Sequence, residues 1–416
     1  MLATMRPYLL AVAAMVARVF YRLSRFPVIG PICLVVVHMM GRKQATLANI
    51  SDHAKQSFLL CGAGPSHAVT PQFPDKVPTQ NDSQFKAIYA HQLDVSVIGA
   101  DSSCVTVDDR VLVPSYSFQH RARIPVNMKT LGYADRNVCF LAPTAHQSID
   151  TGVLISGDGG SNWYHFLIEC LPKAYLARHL PPAFQDFPLI VPEECDTIPN
   201  FAAALSHFAQ GRPVFAVPAG HRVRVRNLIT IDDIVHAPFN LYPGLWPDVS
   251  DYAQHDECLQ AYFADFRDKL GLRSEGLSTG RRIFLARPGF RRSHNQDELI
   301  GIARRFGFEP VSPEKLPLKE QAQLFADASC VIGASGAAWA NMIFARKSMK
   351  ALSWLFPEYS GFSTYATLAS LQGVDMRFVY GIPEKSLPST GHAYTARYSV
   401  SAEVFERALI ELLEDD

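Results

Sequence analysis

The sequence predicts an α/β fold whose second half is a doubly wound parallel sheet, preceded by a β-rich lead-in. Strand-like and helix-like runs alternate from about residue 156 onward, at the spacing typical of parallel sheets with helical crossovers. Short alternating apolar runs fill residues 84–155 without a long helical period. At 416 residues the chain is too long for one ordinary core, so we expect two domains.

Residues 1–45 form a basic and apolar segment without an acidic side chain. Its apolar runs, 8–17 and 26–41, are each shorter than the roughly 20 residues of a membrane-spanning helix. Such a segment is typical of peripheral contact with anionic lipid, here the inner, cytoplasmic face of the plasma membrane. A single-pass membrane anchor and an extension packed on the protein body are the alternatives.

The rest of the chain divides by composition. Residues 46–83 are rich in Gly, Ser, Pro and Asn, and they predict a linker. The lead-in and the α/β units after it define a first domain at 84–250. A helix-periodic stretch ending at Gly271 predicts a connecting helix within 251–272. The cleaner alternation that follows predicts a Rossmann-like second domain at 273–416.

Charge and cysteine usage exclude several function classes. The net charge of zero gives no support for a nucleic-acid partner. The 8 cysteines form no Cys-x-x-Cys pair, which favours buried reduced thiols in a reducing compartment. Asp-x-Asp is absent, and the adjacent pairs Asp108–Asp109 and Asp232–Asp233 alternate faces in a strand. We therefore expect neither a dedicated metal site nor a cofactor.

A basic loop follows the strand that ends at Arg287. It contains Arg291 and Arg292 and leads to a helix expected to begin near Asn295. Because free N–H groups at a helix start and guanidinium groups both bind anionic oxygens, this loop predicts a diphosphate site. A solvated basic loop is the alternative, and Asn295 also forms a capping-box-like pair with Glu298.

A turn of small residues at 333–338 separates a buried strand from a helix, and it includes Ser335 and Gly336. Small residues let a phosphate approach the backbone. Close packing of strand on helix explains the glycines equally well. The turn is not Gly-x-Gly-x-x-Gly, which argues against a dinucleotide oxidoreductase.

The run GDGGSNWYHFLIECLP places three glycines before a helix that Ser161 or Asn162 caps. His165 and Glu169 lie four residues apart on one helix face, and their pairing raises the basicity of the histidine. Such a pair behind a glycine loop predicts a general base for a hydroxyl group. A half-buried structural histidine is the alternative, and it is favoured when the pattern stands alone.

Three ordered blocks, within a similarity that spans roughly residues 84–385, resemble the glycosyltransferases of family 61, a group related to capsular-polysaccharide biosynthesis enzymes. NWYHFLIECLPKAYL is similar through Asn162, Tyr164, His165, Glu169, Leu171 and Pro172. LARPGFRRSHNQDEL is similar through Arg287, Arg291, Arg292, Asn295 and Glu298. CVIGASGAAWANMIF is similar through Gly333, Gly336, Ala337 and Asn341, but Ser335 replaces the family's histidine and Ala338 its third small residue.

The resemblance implies a GT-B arrangement, with two Rossmann-like domains and a cleft between them. It implies an inverting, metal-independent transferase that moves a sugar from a nucleotide sugar to a glycan or glycolipid acceptor in cell-surface polysaccharide synthesis. The base would be His165 oriented by Glu169, or Glu169 itself. The donor site would contain Arg287, Arg291, Arg292, Asn295, Ser335, Gly336 and Asn341. The acceptor-side loop would contain Asp158, Asn162 and Tyr164.

Two other function classes remain as alternatives. Ser335 suggests a catalytically inactive relative that binds a glycan or a nucleotide, because serine donates a hydrogen bond but carries no charge. A nucleotide-dependent oxidoreductase on the same doubly wound sheet is less favoured, because the sequence lacks the dinucleotide fingerprint.

Overall fold

The protein has a mixed α/β fold with two main sheets, which confirms the predicted α/β class, whereas the GT-B arrangement stays a prediction. The computed structural model describes residues 43–100, 102–114, 130–134, 137–140, 145–237, 241, 245–272, 280–287, 293–388 and 390–414. The larger sheet precedes the smaller one along the chain, and both contain parallel strands with helices between them.

Twelve described strands form the larger sheet. They are β1 (Lys43–Asn49), β2 (Gln56–Cys61), β5 (Ile88–Leu93), β6 (Ser96–Ile98), β7 (Val105–Val107), β8 (Arg110–Val113), β9 (Thr130–Ala134), β10 (Asn137–Phe140), β11 (Gln147–Leu154), β12 (Leu189–Pro192), β13 (Val214–Val217) and β14 (Val223–Ile231). Their spatial order is β13-β12-β11-β14-β6-β7-β8-β1-β10-β9, with β5 paired to both β14 and β2.

The strands β13, β12, β11 and β14 are parallel to one another, and they form the α/β part of this sheet. All four residues of β12 are buried, which is typical of a parallel strand covered on both faces. The strands β5, β6, β7 and β8 are antiparallel to their neighbours on the β14 side, so the predicted β-rich lead-in continues this sheet.

The smaller sheet has the all-parallel order β18-β17-β19-β20-β21 among the described strands. Its strands are β17 (Arg281–Leu285), β18 (Glu309–Val311), β19 (Ala328–Ala334), β20 (Lys350–Leu355) and β21 (Asp375–Tyr380). The doubly wound second half is thereby confirmed. Its strand order reverses between β17 and β19, and ligands bind beyond the carboxyl ends of the strands at such a point.

Three two-stranded ribbons complete the described strands. They are β3 (Gly64–Val69) with β4 (Gln80–Phe85), β15 (Val235–His236) with β16 (Ala253–Gln254), and β22 (Ile382–Pro383) with β23 (Tyr398–Ser399).

The α-helices cover both sheets. They are α1 (Trp163–His165), α2 (Leu171–Leu176), α3 (Glu194–Thr197), α4 (Pro199–Ala209), α5 (Asp256–Lys269), α6 (Gln296–Arg305), α7 (Leu318–Asp327), α8 (Thr364–Gln372), α9 (Thr390–Ala393) and α10 (Ala402–Glu414). A π-helical turn, Phe166–Cys170, joins α1 to α2, and we call the continuous element the 163–176 helix. The helix expected after Gly336 is a 3₁₀ helix, Ala337–Phe344.

Residues 46–83, predicted as a linker, instead contain most of β1 and the strands β2 to β4. The backbone of Val69 bonds to the side chain of Thr367 in α8, and Phe378 N in β21 donates to Gln72 O at 2.8 Å. The segment therefore contacts the smaller sheet as well as the larger one. Its polar composition fits a strand that faces solvent, since β4 exposes four of its six residues.

One cluster of buried apolar side chains runs through both sheets. It includes Val153 and Leu167 from the first half and Val331 and Phe378 from the second. Because this apolar packing continues between the halves, the domain boundaries predicted near residues 250 and 273 remain predictions.

The helix α5 begins at Asp256, where His255 Nδ1 accepts a hydrogen bond from Cys258 N at 3.3 Å.

The predicted membrane-contacting segment, 1–45, lies outside the described residues except for its last three, which begin β1. Among the described helices, none has the length and apolarity that a membrane crossing requires. Among the described residues, no disulfide bond forms at the cysteines whose side chains the structure describes, which are Cys61, Cys104, Cys170, Cys195, Cys258 and Cys330.

Candidate active site

A cavity of about 880 Å³ collects residues from both sheets. From the first half it is lined by Asp158, Asn162, Tyr164, His165 and Glu169. From the second half it is lined by Arg287, Ser335 and Gly336. The structure thus brings eight of the predicted site residues together around one space, although more than a hundred residues separate the two groups in sequence.

His165 and Glu169 form the central pair of the cavity. His165 Nδ1 lies 2.8 Å from Glu169 Oε1, and the two side chains are 26% and 15% exposed. Burial lowers the pKa of His165, but the nearby charges of Glu169 and Asp158 outweigh burial and raise it. Glu169 therefore orients the ring through Nδ1 and leaves Nε2 as the basic nitrogen. This geometry suits a general base.

The 163–176 helix owes its shape to a cap and a proline. Asn162 Oδ1 accepts from Tyr164 N at 2.9 Å, so Asn162 caps the helix start. At the π turn, Leu171 N donates to Phe166 O, five residues back. In that register the next donor would be the N–H of Pro172, which proline lacks. The hydroxyl of Tyr262 donates to Leu167 O instead, at 3.0 Å.

The glycine loop before this helix makes room for His165. Gly159 has a φ of 83°, and a Cβ there would lie 2.9 Å from His165 Cδ2. A larger residue at this position would be strained and would press on the ring. The loop also brings Asp158 to the cavity, where its charge helps to raise the pKa of His165.

Tyr164 is buried, and it links the first half to α8. Its hydroxyl donates to Thr364 O at 3.4 Å, and its ring meets Tyr365 edge-on at 5.4 Å. Burial raises its pKa well above the usual value, so the phenol stays protonated. This contact places the first turn of α8 beside His165.

Arg287 and Gly336 form the phosphate-binding candidate of the second half. The Arg287 guanidinium donates to Ser335 O, and a Cβ on Gly336 would overlap that guanidinium. Gln296 holds the backbone of Arg287 through two bonds, accepting from its N at 2.8 Å and donating to its O at 3.1 Å. Glycine is therefore needed at 336, because a side chain there would displace the guanidinium of Arg287. That guanidinium places one positive charge at the point where the strand order reverses.

Arg291 and Arg292 lie outside the described residues. Asn295 and Asn341 are described, but neither lines the cavity. Asn295 exchanges two hydrogen bonds with the backbone of Val400 and donates to Glu298 at 2.6 Å. In the structure, Asn295 therefore fastens the loop before α6 to the C-terminal region rather than reaching the donor space.

Asn341 is fully buried between the halves. It accepts from Trp163 Nε1 at 3.2 Å and donates to Gln321 Oε1 at 3.0 Å. Both partners line the cavity, so Asn341 positions the wall from behind. Asn341 therefore supports the cavity wall, and its predicted contact with the donor stays a prediction.

The first turn of α8 was not predicted as part of the site. Thr364 lines the cavity, and it is 4% exposed. Its hydroxyl and that of Ser363 have no hydrogen-bond partner among the described residues. The first turn of α8 contains no acidic residue, so the positive end of the helix dipole is not offset there. This helix start is suited to an anionic group.

Lys173 and Asp233 were also missed. Lys173 follows Glu169 by one helical turn and lies 2.5 Å from the carboxylate of Asp233, which lines the cavity. The sequence contains a signal for Lys173, because this residue continues the four-residue spacing of His165 and Glu169. Asp233 was considered only as half of a metal-binding pair. Among the described residues, no group of three His, Cys, Asp or Glu side chains is arranged to hold a metal ion.

The comparison with known families points to the part of the chain that contributes most of the cavity residues named above. The family model described as Glycosyltransferase 61 matches residues 163–352. The matched region includes the 163–176 helix, Arg287 and the turn at Ser335 and Gly336. The resemblance drawn from the three blocks is thereby confirmed. A search of curated proteins finds no match to this chain.

Proposed function

We propose, because residues 163–352 match the Glycosyltransferase 61 family model, that this protein moves a sugar from a nucleotide sugar to a hydroxyl of a glycan or glycolipid. The observation that carries the proposal is the shared cavity. It holds the His165–Glu169 pair on one side and the Arg287–Gly336 contact on the other. A base and an anion-binding group facing one space are what transfer from a diphosphate donor needs.

The proposed reaction is a single displacement with inversion. The acceptor oxygen forms a bond to the anomeric carbon while the bond from that carbon to the phosphate oxygen breaks. The acceptor proton passes to His165 Nε2, and the nucleoside diphosphate leaves with the bonding electron pair. Glu169 stabilises the imidazolium that results, at 2.8 Å from Nδ1.

The donor diphosphate is proposed to lie between Arg287 and the first turn of α8. Guanidinium and helix N–H groups stabilise the charge that develops on the leaving phosphate, so the mechanism needs no metal ion. Arg291 and Arg292 are proposed to add to this site from the adjacent loop. Two Rossmann-like domains in a GT-B arrangement would place donor and acceptor on opposite sides of the cavity.

The cellular setting is part of the same proposal. The basic and apolar residues 1–45 suit peripheral contact with the cytoplasmic face of the plasma membrane. A glycolipid acceptor is available at that surface. Cell-surface polysaccharide synthesis is the process that this combination fits.

The test is donor binding and turnover with UDP-, GDP-, CMP- and dTDP-sugars. We expect calorimetry to detect binding of one nucleotide class, and mass spectrometry to detect sugar transfer by the wild type. His165→Ala should bind that donor as the wild type does but transfer about 10²- to 10⁴-fold more slowly, because the base is lost. Equal transfer by His165→Ala would contradict the assigned base. Binding without any turnover by the wild type would select an inactive relative.

A further inference from the structure

A buried ion pair lies next to the His165–Glu169 pair. Lys173 is 3% exposed, and its Nζ lies 2.5 Å from Asp233 Oδ1. The same Nζ donates to Ser156 O at 2.8 Å, and Ser103 Oγ donates to Asp233 Oδ1 at 3.2 Å. Burial lowers the pKa of Lys173, but Asp233 and other neighbouring groups outweigh burial and raise it, so the ammonium stays charged.

The position of this pair follows from the larger sheet. Ser156 comes just after β11 and Asp233 just after β14, and these neighbouring strands are parallel. Both residues therefore lie beyond the carboxyl ends of their strands, where open α/β sheets bind ligands. Asp233 and Ser103 line the cavity, whereas Lys173 stands behind them.

Stability does not explain the pair. Removing two charges from water costs free energy that their attraction only partly returns, and apolar residues of similar volume often serve the fold as well. A carboxylate that a buried ammonium holds at a cavity wall is suited to binding. Carboxylates accept hydrogen bonds at about four positions, and sugars present hydroxyl donors.

We propose that Asp233 binds a hydroxyl of the acceptor sugar, and that Lys173 is a positioning residue that holds this carboxylate in place. The inference rests on the proposed function, and it assigns the acceptor to the wall that carries Ser103 and Asp233. An acceptor held there lies next to Glu169, whose partner His165 receives the acceptor proton.

Asp232 offers a matched control. It is adjacent in sequence, but its carboxylate accepts from Tyr89 N at 3.0 Å and pairs with His91 Nε2 at 3.1 Å. Asp232 does not line the cavity. Asp232→Asn and Asp233→Asn thus remove the same charge from consecutive residues, of which only Asp233 faces the proposed acceptor.

The experiment compares two reactions of the full chain with the donor identified above. The first is transfer to p-nitrophenyl glycosides of neutral hexoses and pentoses. The second is donor hydrolysis without a glycoside, in which water is the acceptor. For Asp233→Asn we expect the KM for the glycoside to rise about tenfold, the effect of one lost charge-assisted hydrogen bond. Hydrolysis and donor affinity should change less than about twofold, and Asp232→Asn should match the wild type in both reactions.

Further variants separate binding from folding. Asp233→Asn leaves Lys173 buried beside a neutral partner, so the variant that combines it with Lys173→Met removes both charges. It should fold and still show the raised KM, whereas Lys173→Arg should retain part of the acceptor affinity. An unchanged KM in the folded double variant would overturn the assignment, as would a parallel loss of hydrolysis. Absence of both reactions in the wild type would instead refute the proposed function itself.

Discussion

At the scale of single residues, His165 carries opposing influences on its protonation. Burial favours the neutral ring, whereas Glu169 and Asp158 favour the charged ring, and the charges prevail, so the pKa is raised. A base with a raised pKa is protonated, and therefore inactive, over a wider acid range. It is also a stronger acceptor of the substrate proton once neutral. In the proposed mechanism, Glu169 therefore makes His165 a stronger base at high pH and leaves it protonated at low pH.

Glu169→Gln tests this balance through the pH profile. Removing the carboxylate charge lowers the pKa of His165, so the acid limb of kcat/KM should move to lower pH. Turnover at pH 8 should fall on the order of 10²-fold, because the imidazolium loses its stabilising partner. Asp158→Asn should move the limb in the same direction by less, since its contribution to the pKa is smaller. A limb that stays in place or moves to higher pH would contradict this account.

At the scale of elements, the 163–176 helix depends on a distant side chain. Pro172 removes one N–H from the π turn, and Tyr262 of α5 supplies the missing donor to Leu167 O. Tyr262 is fully buried, so neither water nor an exposed group replaces it. The contact fixes the register of the turn that contains Glu169, and π turns often occur at functional sites.

Tyr262→Phe should lower the free energy of unfolding by about 1–3 kcal/mol, the cost of leaving one buried carbonyl unpaired. In a Pro172→Ala background the new N–H can donate to Leu167 O, so the same tyrosine change should cost less. Denaturant unfolding of the four proteins in this double-mutant cycle measures the difference. Equal costs in both backgrounds would show that the hydroxyl does not replace the proline N–H.

Elements with strong local signals could be predicted from the sequence. The apolar runs of β12 and β19 and the cap at Asn162 indicate their structures locally, and the strand and helix alternation of the second half is confirmed. The π turn could not be predicted, because it involves Tyr262, some ninety residues away. The region 46–83 was predicted as a linker because of its polar residues, many of which lie on β4, where four of six residues are exposed.

At the scale of the whole molecule, the two halves meet through a buried amide. Asn341 bonds to Trp163 of the first half and to Gln321 of α7. Asn200 of α4 likewise donates to Leu316 O of the second half, at 2.9 Å. The cavity wall and the contact between the halves are therefore built from the same residues.

Asn341→Ala should destabilise the protein by about 2–3 kcal/mol, because it leaves a half-buried indole N–H and a buried amide oxygen without their partner. Donor turnover at 20 °C should also fall, since Trp163 lines the cavity. Chemical unfolding and the transfer assay measure the two effects. Gln323→Ala is the control: it changes a half-buried amide in α7, the helix that contains Gln321, and it should alter stability and turnover little. Wild-type stability in Asn341→Ala would refute the bridging role.

In the candidate site, residue type and spacing predicted which side chains share the cavity but not what each side chain contacts. His165, Glu169, Arg287 and Gly336 were predicted to share a site, and they line one cavity, because all three blocks place these residues beyond the carboxyl ends of strands. Asn341 does not line the cavity, and its side chain bonds to Trp163 and Gln321, which do. An amide serves a ligand or a neighbouring side chain equally well, and only tertiary contacts decide between them.

The backbone bond from Phe378 to Gln72 also limits how the molecule can be divided. Residues 72–73 lie along the outer edge of β21, and Phe73 stacks on Tyr380 at 4.2 Å between ring centroids. An isolated second half would expose this edge, and uncovered edges invite pairing between molecules. A chimera that takes its second half from a relative must therefore also take the residues around 72, because a single cut near residue 273 would separate them from β21.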